Sequence, residues 1–262
     1  MRVVIETLQS LTNLGTFALV CGTLVVLTPL MPLLRRKLLR VQISDEVGEG
    51  VQDAFKSIAT FIVFVMAFSL VQEERQFHDA EETVQKEASA LNLTDRALYR
   101  FGLASATEAR GALQTYAKSV VNDEWKLLAK GGRSRETGRF FGELYRKVRT
   151  IEPDGMKQGA QFAELIGLVD RISDLREERL SASENGLPTL FWWTIFSLLA
   201  VLLLMSAFTT GSLQMNLSQT GIVCAIGLLL SLVIIYDGPF SGETSVSPTP
   251  IVRVLGRMSE RG

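Results

Sequence analysis

The residues best placed to act on something outside the chain share one spacing. Ser57, Thr60, Phe64 and Ala67 follow one another at intervals of three, four and three. A helix puts such positions on one face. That face is narrow, partly polar and carries one aromatic ring, and Lys56 stands beside its start. Several copies of such a helix in a ring would line a path for ions. Phe64 could close that path by dewetting, and Lys56 at the mouth could draw anions in. The same residues also have a purely structural reading. Ser and Thr hydroxyls bond their own helix or a neighbour. A lysine two residues inside an apolar stretch carries its ammonium to the interface. Phe61 and Phe68 read as packing surface.

A second group is basic. Lys126, Lys130, Arg133, Arg135, Arg139, Arg146, Lys147 and Arg149 face only Glu136 and Glu143 between residues 126 and 149, a net of +6. Such a segment could contact anionic lipid or concentrate anions at a vestibule. It could also be a solvated face. An acidic counterpart lies upstream, where Glu73, Glu74, Asp79, Glu81, Glu82 and Glu87 stand against Arg75 and Lys86. The two could pair within or between subunits. No nucleic-acid motif accompanies the charge, so nucleic acid is not an expected partner.

The remaining reactive types point to no catalyst. His78 is the only histidine, too few nitrogen ligands for a metal centre, and it reads as structural or solvent-exposed. Cys21 and Cys224 read as small packing residues, neither a disulfide nor a metal pair. Glu124 beside Trp125 reads as a packing and interface feature. No P-loop, GxGxxG, GxSxG or HExxH occurs. The expectation is no enzyme, no cofactor and no metal.

The elements that must position these residues follow from charge segregation. Four stretches, 14–34, 54–71, 187–208 and 217–236, hold one charged residue, Lys56, whereas the other 181 residues hold 54. A bilayer core of about 30 Å takes roughly 20 apolar residues of helix, and helix is the form that satisfies its own backbone there. Arg35, Arg36 and Lys37 directly after the first stretch fit a stop-transfer signal better than a signal peptide. Trp192, Trp193 and Tyr236 sit at span ends as interfacial anchors.

Between the spans, residues 73–186 hold 18 Lys/Arg and 20 Asp/Glu and a single proline, Pro153. Their periodicity is helical throughout. Phe77, Ala80, Val84, Ala88 and Leu91 continue the second span without a break. A second helix is expected from the capping box Ser105-x-x-Glu108, with Leu113, Ala117, Val120 and Leu128 inward and Gly131-Gly132 as its end. A third runs from about Ser134 to Ile151. The turn Glu152-Pro153-Asp154-Gly155 leads to a fourth, whose apolar stripe is Phe162, Leu165, Ile166, Val169, Ile172, Leu175 and Leu180. The fold class is therefore all-α, a four-span helical membrane protein with an inserted amphipathic helical bundle. Its parts are residues 1–72, 73–186, 187–236 and a flexible, Pro- and Gly-bearing tail, 237–262.

Three stretches resemble the bacterial bestrophin-like family. They are MAFSLVQEERQFHDAEETVQKEASAL ending at Leu91, Tyr116 to Trp125 followed by Gly131, and RLSASENGLPTLFW from Arg179 to Trp192. The resemblance covers about residues 35–210. It departs from the family at Gln72-Glu73, where an aromatic is expected. It implies four spans with a helical domain between the second and third. That layout is similar to bestrophin anion channels, which are pentamers with a pore along their second span.

Two functions remain open at this point. One is an oligomeric ion channel for anions, lined by the second span at Lys56, Ser57, Thr60, Phe64 and Ala67. The other is a membrane-anchored interaction or sensory module without a pore, its basic patch Arg133, Arg135, Arg139, Arg146, Lys147 and Arg149. The expected partners are the lipid bilayer, further copies of the chain and inorganic anions. The expected location is the plasma (inner) membrane, multi-pass. The cluster Arg35, Arg36, Lys37 and Arg40 puts the first short loop in the cytoplasm and the helical block outside. Arg2, Arg253, Arg257 and Arg261 and the resemblance argue for the reverse.

Overall fold

The structure is a computed structural model that describes residues 2–9, 11–38, 44–208 and 213–261. Arg40 of the basic loop lies outside the described residues. The described chain is helical: α1 (Arg2–Gln9), α2 (Asn13–Leu38), α3 (Asp45–Phe101), α4 (Ala104–Ser119), a π-helical turn (Val120–Glu124), α5 (Trp125–Leu128), α6 (Arg135–Arg149), α7 (Gly155–Glu184), α8 (Thr189–Ala207), α9 (Leu213–Tyr236) and α10 (Thr249–Glu260). Four of these helices are long and apolar enough to cross a membrane. The chain divides into two compact units. One comprises Met1–Arg75, Gly186–Asp237 and Gly242–Thr244, and the other Gln76–Asn185, Gly238–Ser241 and Ser245–Gly262.

The first unit is the membrane unit. Its core is Leu24, Phe55, Ala59, Ile62, Met66, Trp192, Ile195, Leu199, Leu202, Val223, Ile226, Leu230 and Val233. α2 and α9 run antiparallel and close. A Cβ on Gly227 would meet Cys21 Cα and Leu24 Cδ1 at 3.3 Å each, so glycine lets the two backbones approach. Cys21 and Cys224 face one another across this contact as free thiols, with Cys21 Sγ 4.0 Å from the Cys224 carbonyl oxygen. At the far end of the pair the Gln9 side chain donates to the carbonyls of Ile234 and Asp237. Asp237 in turn accepts from Leu187 N at 2.7 Å, which fixes the chain as it enters α8. A Cβ at position 186 would meet the same carboxylate at 2.7 Å. Glycine in the Asn185-Gly186 break therefore leaves room for this carboxylate, which any Cβ would push aside.

The second unit is a helical bundle whose core includes Ala80, Val84, Leu91, Leu98, Leu113, Tyr116, Val120, Leu144, Val148, Leu165, Val169, Ile172 and Leu175. α3 carries the second span into this bundle as one unbroken helix of 57 residues. α6 starts where expected, with Ser134 Oγ accepting from Thr137 N at 3.1 Å. Arg146, Lys147 and Arg149 in its last turn favour the helix dipole. Gly131 ends the preceding segment at φ +62°, and Gly155 starts α7 at φ +75°.

Two local expectations are corrected. The capping box Ser105-x-x-Glu108 does not form. α4 begins two residues earlier, capped by Leu103 without a side-chain bond, and Glu108 instead accepts from Lys147 Nζ at 3.0 Å. The tail read as flexible carries α10, whose Ile251, Val254 and Met258 are buried in the bundle core. The spacing of these three is helical, but three prolines and glycines nearby outweigh it in the sequence. Two arginines hold α10 down. Arg110 donates to the carbonyls of Met258 at 3.0 Å and Arg261 at 3.3 Å, and Arg261 reaches Asp95 at 2.7 Å and Asn92 at 2.7 Å.

Candidate functional site: the open face of α3 and a buried ion network

α3 divides sharply into two sides along its apolar stretch. Phe55, Ala59, Ile62, Met66 and Ser69 are buried in the membrane unit. Ser57, Thr60, Phe64 and Ala67 lie on the other side, and all four are exposed in the protomer. Phe64 is 72% exposed and Phe68 70%. A helix with one packed side and one open side of this length needs lipid or another helix against it. The hydroxyls are occupied by their own helix: Ser57 Oγ donates to the Asp53 carbonyl and Thr60 Oγ1 to the Lys56 carbonyl, both at 2.9 Å. The oxygens keep acceptor lone pairs on the open face. Lys56 is exposed too, but its Nζ lies 3.2 Å from the carboxylate of Asp53 on the same face. Sequence reasoning missed this partner, although a spacing of three before a lysine is a usual helical ion pair.

The basic patch is on the surface. Arg133, Arg135, Arg139, Arg146 and Arg149 are exposed and Lys147 partly so. Arg133 pairs with Glu177 at 3.0 Å and Glu184 at 3.4 Å, both on α7. Arg139 pairs with Glu136 at 3.1 Å, and Arg149 lies over the Tyr145 ring. His78 is exposed, 3.8 Å from Glu81. Of the departure at Gln72-Glu73, Gln72 is exposed and Glu73 is buried.

The most organised chemistry lies inside the bundle. Arg179, fully buried, donates to both oxygens of Glu87 at 2.7 and 3.2 Å and to Glu124 at 3.0 Å. Arg176 grips Glu124 with two donors at 2.6 and 3.1 Å. Tyr116 Oη donates to Glu87 at 3.3 Å, and the Arg179 guanidinium lies 5.4 Å from the Trp125 ring centre. Two carboxylates and two guanidiniums therefore balance one another. Burial alone would push the Glu124 carboxyl up, but the two arginines outweigh it and hold it below its ordinary value. Burial and the Glu87 carboxylate push the Tyr116 phenol well up.

The π-helical turn supplies the geometry. Trp125 N bonds back five residues to Val120 O, so one extra residue enters the turn and Glu124 points inward. The sequence singled out the Glu124–Trp125 pair and placed Glu87 in an acidic group, but gave Arg176 and Arg179 no role. A signal was present. Glu87 follows Val84 by three residues, and Arg179 follows Leu175 by four, so each falls on an apolar stripe. A charge on a stripe is expensive unless another stripe carries its partner.

An all-α chain with four membrane-crossing helices and an inserted bundle is one class of membrane protein, and comparison makes it specific. The Bestrophin-like domain matches residues 14–251, and the chain belongs to that family. It is a multi-pass membrane protein. It is similar in fold to the crystal structure of a mutant bacterial bestrophin homolog from Klebsiella pneumoniae, at 11% identity, TM-score 0.69, covering 94% of this chain and 98% of that one. A second structure of a homolog from the same organism gives 10% identity, TM-score 0.69 and 93% and 97% coverage. No curated protein sequence matches it.

Proposed function

We propose that the protein is an oligomeric ion channel of the plasma (inner) membrane, with the open face of α3 lining the pore. The observation that carries this reading is the sidedness of α3. Its polar, small and aromatic positions are left uncovered by a protomer that buries the other side of the same helix. A ring of copies turns four uncovered side chains into four rings. Phe64 is then the constriction, and Ser57, Thr60 and Ala67 are the wetted wall. Family membership supports an ion-conducting role, and the resemblance to bestrophin anion channels names the anion. The Asp53 carboxylate beside Lys56 moderates the pull of that lysine on anions, so the pair sets selectivity at this mouth. The exposed arginines of α6 add positive potential around the bundle.

Purified protein in planar bilayers tests the reading. Discrete currents are expected, with a reversal potential in a salt gradient that favours anions. Lys56→Gln shifts it toward cations and Asp53→Asn shifts it further toward anions. Silent bilayers together with a monomer in detergent contradict the proposal.

A further inference from the structure

In the membrane unit a buried arginine lacks a counter-charge among the described residues. Arg35 follows the apolar stretch of α2 directly and is only 6% exposed. Its Nε and Nη1 are buried without a hydrogen-bond partner among those residues. Two acceptors share that condition, Asn216 Oδ1 and Gln219 Oε1 on α9. Gln219 spends its amide nitrogen on Gln52 Oε1 at 2.7 Å.

Counting along the two helices puts these atoms toward the same end of the α2–α9 pair. The antiparallel helices α2 and α9 touch at Leu24 and Gly227. Arg35 lies eleven residues along α2 from that point, and Asn216 lies eleven residues back along α9. At 1.5 Å per residue each is roughly 16 Å from the crossing. Gln219 and its partner Gln52 sit about one turn nearer the membrane centre. The level is the end of an apolar stretch, where lipid headgroups begin.

A guanidinium is a planar cation with five N–H donors and no acceptor. A charge so placed calls for an anion that supplies oxygen acceptors. The two orphaned amide oxygens call for donors. We infer that Arg35, Asn216 and Gln219 bind an oxyanion, a phosphodiester of an anionic lipid headgroup whose hydroxyls serve the amide oxygens. Phosphate accepts from Arg35 Nε and Nη1, and a glycerol hydroxyl donates to Asn216 Oδ1 or Gln219 Oε1. Phosphatidylglycerol carries both groups. Phosphatidylcholine carries the phosphate with a cationic, donor-free head. Free phosphate supplies the anion without the tails.

Thermal unfolding of the full-length protein, purified free of lipid in neutral detergent, tests this. Phosphatidylglycerol raises Tm and phosphatidylcholine does not. A rise of equal size with inorganic phosphate assigns the site to free oxyanions of the same chemistry. Arg35→Met has two expected effects. It raises Tm without lipid, because it removes an unpaired buried charge, and it abolishes the lipid-dependent rise. Asn216→Leu keeps the fold and reduces that rise. The inference is overturned if neither phosphatidylglycerol nor phosphate moves Tm, if the rise survives in Arg35→Met, or if lipid-free Arg35→Met is less stable than the parent or fails to fold.

Discussion

Glu124 is held by two arginines in the buried interior of the bundle, which depends on that balance. Glu124→Gln leaves Arg176 without its carboxylate partner and Arg179 with Glu87 alone. Breaking a buried pair from one side costs about 3–5 kcal/mol, so a lowered Tm is expected in detergent. The pH dependence has a definite sign. The folded carboxyl titrates below its ordinary value of 4.5. Its contribution to stability is therefore complete above about pH 4.5 and is lost as pH falls through the lowered folded value. Tm measured from pH 7 downward should hold and then fall below 4.5, and Glu124→Gln should flatten that fall. Gly186→Ala tests a different residue-level constraint. Its Cβ meets Asp237 Oδ1 at 2.7 Å, so the carboxylate must move from Leu187 N. A lower Tm is expected, and Asp237→Ala should relieve the clash in the double variant. At this scale the sequence is least readable. Ser57, Thr60 and Phe64 can be placed on a helical face by spacing alone. The partners of Arg179, Glu87 and Glu124, lie 92 and 55 residues away in the chain, and no local spacing encodes them.

Among the elements, α3 is the most legible and α10 the least. The apolar stripe of the second span passes into Phe77, Ala80, Val84 and Leu91 at unbroken helical spacing, and the helix follows it. The Ser134 cap and the glycines at 131 and 155 are likewise local signals, and local structure obeys them. The capping box at Ser105 is also local, but the start of α4 at Ala104 and the reach of Lys147 for Glu108 displace it. α10 is short and amphipathic, so its stability comes from the core it meets. Its three buried side chains contribute about 1.5–3 kcal/mol each. Truncation after Pro248 should lower Tm by several degrees and leave Asp95 with Arg110 as its one remaining arginine. Unchanged stability on truncation would show that α10 does not hold the bundle.

For the molecule as a whole, segregation of charge sets the architecture and is plain in the residue order. One charge in four apolar stretches marks the spans, and a 114-residue block with 38 charges marks the bundle. What segregation cannot state is how many copies assemble, because a protomer face open to lipid and one open to a pore have similar composition. The orientation is an expectation of the same kind. The basic loop after α2 predicts the C-terminus outside, so alkaline phosphatase fused after Gly262 should be active. Fluorescence from a reporter that folds only in the cytoplasm would reverse the assignment. A pore along α3 requires that water and ions meet its open face. The most direct test replaces Cys21 and Cys224 by alanine, introduces Thr60→Cys, and records current in planar bilayers while a charged, membrane-impermeant thiol reagent is added. An irreversible change in current is expected, one that the cysteine-free parent does not show. Steady currents from protein in which position 60 is demonstrably modified, or no current from either form, would rule out a pore on this face.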